Sequence, residues 1–99
     1  MSKYVLAFRA QPGRTPAAGE DQQWGAWFGK LGPAIVDMGG RVGATRTVAA
    51  EHRADPASSV LSGYVVIEAA GLDAAAALAQ GCPGLAHEVD VEVAEIIAS

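Results

Sequence analysis

The chain has 99 residues, a net charge of −4, 51% hydrophobic residues and 18% charged ones. The acidic balance argues against nucleic acid, whose phosphates reward a basic face, and against an anionic membrane surface. No apolar run reaches the roughly 18 residues that a membrane span needs.

This length holds one domain, 1–99, with one thin core. So apolar a chain calls for a subunit interface, and a homodimer is the expectation. Cys82 is the single cysteine. No internal disulfide forms, which fits a reducing cytoplasm. The first ten residues run straight into an alternating strand and a polar turn, unlike a signal peptide. Heavy use of alanine and glycine points to a bacterial source with a GC-rich genome.

Residues 4–9 alternate, with Tyr4, Leu6 and Phe8 on one side and Val5, Ala7 and Arg9 on the other. Period two predicts a strand, and Pro12-Gly13 ends it. Thr15-Pro16 then resembles a helix start, with Gly19 as the alternative. Glu20 and Asp21 stand where the helix dipole favours negative charge. Trp24, Trp27, Phe28, Leu31, Ile35 and Met38 follow at steps of three and four, an apolar helical stripe. Pro33 kinks or resets it, and Gly39-Gly40 closes it.

A strand is expected over 44–50, where Thr45, Thr47 and Val48 favour one, and a polar loop over 52–59. Residues 61–69 read as a strand covered on both faces or central in its sheet, because residues 64–67 are apolar without alternation. Asp73 is a good N-cap for an alanine-rich helix over 74–80. Residues 82–85 read as a short turn or a helical turn. The last strand follows, with Val89, Val91 and Val93 facing the core and Asp90 and Glu92 facing water or a partner. The order β-α-β-β-α-β is economically buried as an α+β, ferredoxin-like unit: a four-stranded antiparallel sheet with two helices on one face. Its bare face suits a second copy of the chain.

Chemistry-bearing residues are few. Cys82 sits at a helix-to-proline junction, where a thiolate can be stabilised, although cysteines often only pack. His87 lies beside Glu88, a neighbour able to orient an imidazole for proton transfer; a turn residue is the plainer reading. These two are the candidate catalytic residues. Trp24, Trp27 and Phe28 either line an apolar ligand pocket or fill the core. Arg9 and Arg46 either meet an anionic ligand or pair with Asp90 and Glu92 across an interface. No His or Cys spacing suits a metal, and no glycine-rich loop follows a strand to cradle phosphate, so no cofactor is expected.

Gly63-Tyr64, Leu72-Asp73-Ala74, Gly81-Cys82-Pro83 and Val91-Glu92-Val93, in this order, resemble the C-terminal half of the YCII-related (YciI-like, DGPF) family of small bacterial proteins. Upstream, residues 24–29 and Leu31-Gly32 are similar to the first helix of actinobacterial members. The likeness covers nearly the whole chain. It implies a ferredoxin-like subunit in a dimeric α/β-barrel assembly. Some members have been proposed to use a His–Asp pair; the slot for that Asp holds Cys82 here, and the first helix has no histidine. An Asp-Gly-Pro-Phe segment is also lacking.

Two functions follow as expectations. One is a small-molecule-binding or enzyme-like dimer with a pocket between the sheet and the first helix. The other is a non-catalytic assembly or regulatory module. A cofactor-independent monooxygenase is a third option, by fold analogy alone.

Overall fold

The computed structural model describes residues 1–48 and 59–97. Its elements are β1 (Ser2–Ala10), α1 (Glu20–Leu31), a 3-10 turn (Gly32–Ala34), β2 (Ile35–Arg41), β3 (Val60–Ala69), α2 (Leu72–Ala79), a second 3-10 turn (Pro83–His87) and β4 (Asp90–Glu95). The four strands form one antiparallel sheet in the order β2-β3-β1-β4. The fold is α+β.

The period-two pattern of β1 sorts its side chains as the sequence requires. Tyr4, Leu6 and Phe8 are buried and Val5, Ala7 and Arg9 are half-exposed. β3 alternates likewise, with Val65 and Ile67 buried and Tyr64 and Glu68 exposed. Its central place in the sheet, between β2 and β1, accounts for its unbroken apolar run. Both helices feed the core built on this one row. α1 brings Trp27 and Leu31, and α2 brings Ala75 and Ala79. Alanine at steps of four lets α2 lie close to the strands. The Trp27 indole N–H donates to the Leu78 carbonyl at 3.3 Å, tying α1 to α2.

α1 begins after Gly19, whose left-handed φ of 79° turns the chain inward; Thr15-Pro16 lies outside it. α2 begins at Leu72 after Gly71, so Asp73 stands in its first turn and does not cap it.

The path after Leu31 corrects the sequence reading. The stripe does not run on through Ile35 and Met38. Gly32-Pro33 makes a tight turn, the chain extends at Ile35, and residues 35–41 form β2. Proline lacks the N–H that another helical turn needs, while Ile35 and Val36 are β-branched and stiff. Gly39-Gly40 lies inside this strand. Gly39 has φ 64°, and a β-carbon there would fall 2.0 Å from the Tyr64 carbonyl oxygen. Only glycine lets β2 pass so close to β3.

Residues 44–48 carry no strand; the place given to 44–50 is taken by β2, and 49–50 lie outside the described residues. So does the loop expected over 52–59, apart from Ser59. Among the described residues no helix is long and apolar enough to cross a membrane.

Candidate functional site

A cavity of about 520 Å³ opens between α1 and the end of the sheet where β1 finishes and β3 begins. Its apolar wall is Phe8 from β1 with Trp24 and Phe28 from α1. The rings meet edge to face or tilted: Phe8 and Trp24 centroids are 4.8 Å apart at 82°, Trp24 and Phe28 5.9 Å apart at 36°. Trp24 and Phe28 are only partly buried, so they leave this space open. The last residues of β2, Met38 to Arg41, complete the other side.

The segment between β1 and α1 is pinned across one end by a charge cluster. Arg14 donates from its terminal nitrogen to Glu20 Oε1 at 2.5 Å, and from Nε to the His87 carbonyl at 3.0 Å. The same Glu20 oxygen accepts the Ala17 amide at 3.0 Å, and Oε2 accepts the Trp24 indole N–H at 2.9 Å. Glu20 is only 2% exposed, yet both its oxygens are engaged. Helical spacing explains part of this, because positions 20 and 24 share a face. Burial pushes the Glu20 carboxyl upward. The bonds from Arg14, Ala17 and Trp24, with the Arg14 charge, outweigh it and hold the carboxyl at about 2. Glu20 is therefore ionised throughout the neutral range and fully bonded. It anchors the wall and exchanges no proton there.

The residues singled out in the sequence fall into separate places. Trp24 and Phe28 line the cavity together. Trp27, 5% exposed, is core. Arg9 and Arg46 share a second, more open hollow of about 350 Å³ with Thr45, Thr47 and Ser59. Arg9 stands opposite Asp90 in the β1–β4 register, but its guanidinium donates to Ser59, at 3.3 Å to Oγ and 3.1 Å to the carbonyl.

Cys82 is buried at the end of α2, off the lining of both hollows. Burial pushes its thiol above the usual value of 9.0, with nearby Glu20 adding to the rise against two backbone hydrogen bonds. The neutral thiol is thus the form present near pH 7. His87 lies next to the charge cluster. Its Nε2 is 3.2 Å from Gln23 Oε1, and its carbonyl serves Arg14. The cavity lining does not include it. Glu88, after it, adopts φ 64°, a left-handed turn into β4.

The sequence reading missed Arg14 and Arg41 and gave Glu20 only a dipole role. The Glu20–Trp24 spacing of four was the available signal; Arg14 lies in a segment with no period to read. Among the described residues no group of three His, Cys, Asp or Glu side chains stands close enough to hold a metal ion. Chemically, the arrangement offers an apolar ring surface, fixed charges at its edge and, among the described residues, no free acid–base pair on the aromatic wall. Compared with known proteins, the chain matches no family model, no curated protein and no solved structure.

Proposed function

We propose that this chain is a small-molecule-binding, enzyme-like protein whose ligand lies between α1 and the sheet. The observation that carries this is the cavity of about 520 Å³ beside half-buried Trp24 and Phe28. Sites for small molecules have volumes of about 300–1,000 Å³ and apolar walls with a few placed polar groups. An aromatic cluster serving only as core would close on itself, as Trp27 does. Trp24 does not, although its one polar atom is already satisfied by Glu20. Ligand-observed NMR with a mixed set of small aromatic and aliphatic compounds tests the reading. Hits that disappear in Trp24→Ala support it; hits unchanged in that variant, or none at all, sink it.

The same proposal takes the chain as a cytoplasmic homodimer of the YCII-related kind, on a ferredoxin-like subunit in a dimeric α/β barrel. The strand order β2-β3-β1-β4 with two crossover helices supports the subunit. The sheet row facing away from the core supports the dimer. Val5, Ala7 and Val66 are half-exposed and Tyr64 is 38% exposed, an apolar strip with Glu68 and Glu92 on its outer flanks. A second copy, sheet against sheet, is the occupant. Sedimentation at micromolar concentration is expected to give a dimer that Val66→Lys splits; a wild-type monomer would reject it. The same strip favours the second reading, assembly without catalysis, only if the cavity binds nothing.

A further inference from the structure

Resting on the pocket reading just given, we propose that the ligand is a flat apolar monocarboxylate, its ring on the Phe8–Trp24–Phe28 wall and its carboxylate at Arg41. The wall itself offers hydrocarbon. The only nitrogen on those three rings, Trp24 Nε1, is spent on Glu20. Both Glu20 oxygens are taken as well, so that carboxylate cannot receive a donor from a ligand without losing one it holds.

Among the described residues, four charged side chains line the cavity: Arg14, Glu20, Asp21 and Arg41. Arg14 and Glu20 neutralise each other. Asp21 lies in the first turn of α1, exposed, where the positive end of the helix already offsets it. Arg41 has no such offset. It ends a strand, and among the described residues no carboxylate pairs with it.

Arg41 is also on the right side of the sheet. It stands opposite Gly63 in the β2–β3 register, and Gly63 is buried in the row that continues through Val65 and Ile67. Cross-strand partners share a face. A β-carbon on Gly63 would sit 3.6 Å from Phe8 Cδ2 and 3.7 Å from the Arg41 Cα. Without a side chain on Gly63, the space between the Phe8 ring and the Arg41 backbone stays open, in the cavity that Arg41 lines. A guanidinium with free N–H groups takes a carboxylate in a two-pronged bond, which a hydroxyl cannot match.

Calorimetry on the full chain with naphthoate, naphthylmethanol and naphthylmethylammonium decides it. Naphthoate is expected to bind about tenfold more tightly than the alcohol, as a charge-assisted bond allows. Arg41→Gln is expected to erase that margin and leave the alcohol unchanged, and Arg41→Lys to restore part of it. Equal affinities for acid and alcohol, or the ammonium binding tightest, would overturn the carboxylate class and leave the pocket standing. So would an Arg41→Gln variant that loses all three compounds alike, since Arg41 would then only hold the site's shape. Binding of none of the three would remove the pocket reading and the class together.

Discussion

The sheet has two unlike sides. Toward β4, strand β1 pairs without interruption from Tyr4 opposite Glu95 to Arg9 opposite Asp90. Toward β2, the pairing slips twice within seven residues, between Ile35 and Asp37 and again between Asp37 and Gly40. The regular side has alanine-faced α2 seated on it, with Ala75 and Ala79 buried. The slipped side leaves Val36 and Met38 exposed and borders the cavity. Even pairing lets a helix settle on the strands. Bulges bend a strand away and open room beside it, which is where a ligand can enter.

Substitutions sharpen this contrast, and the largest effect belongs to the packed side. Trp27→Ala is expected to cost about 3–5 kcal/mol, as the loss of a buried aromatic does; a chemical melt that matches wild type would show that the core does not depend on it. On the slipped side the largest effect lies in the backbone. Gly39→Ala is expected to cost about 2–4 kcal/mol, the sum of a left-handed conformation and a clash with the Tyr64 carbonyl. A well-folded Gly39→Ala with unchanged amide exchange in β2 would deny the close approach.

Glu20→Gln comes next, at about 1–3 kcal/mol near pH 7, because it leaves half-buried Arg14 against a neutral partner. Its signature is in the pH dependence. The Glu20 carboxyl titrates at about 2 when folded against an ordinary 4.5. As pH falls, the unfolded chain takes up this proton first. The stabilisation is therefore complete above 4.5 and drains away toward 2. Acid titration of stability should lose part of its slope in this window in Glu20→Gln; identical slopes would mean that the carboxylate is not held ionised by its partners. The smallest effect is that of Arg41→Gln, within about 0.5 kcal/mol in the absence of ligand, as for other exposed positions. A larger loss of melting temperature would give Arg41 a structural task.

The contrast also explains what could be read from the sequence. β1, β3, α2 and β4 announce themselves through alternation and alanine content, and the structure has them within a few residues of the expected bounds. α1 shows its true stripe in Trp24, Trp27, Phe28 and Leu31. Ile35 and Met38 prolong the same spacing by coincidence, across a proline that had already ended the helix. β2 gave no usable sign. Two glycines and two bulges in seven residues erase the alternation that marks a strand, whereas the β-branched Thr45 and Thr47 carry strand propensity where no strand forms.

The cavity shared this obscurity. Its aromatic wall was visible, but Arg14 and Arg41 reach it through a segment without period and a strand that did not look like one. Nothing in their sequence neighbourhoods sets them apart from surface cations. Their meaning comes from register and from the buried carboxylate, both properties of the folded chain.

The two indoles are placed so that the molecule reports on itself. Trp27 is sealed in hydrocarbon, its N–H on a main-chain oxygen, while Trp24 borders the opening with its N–H on a carboxylate. Light emitted by an indole shifts in colour with the polarity around it. The inner ring is thus a gauge of whether the chain is folded, and the outer one a gauge of whether the site is filled. Replacing either with phenylalanine separates the two signals without attaching any dye.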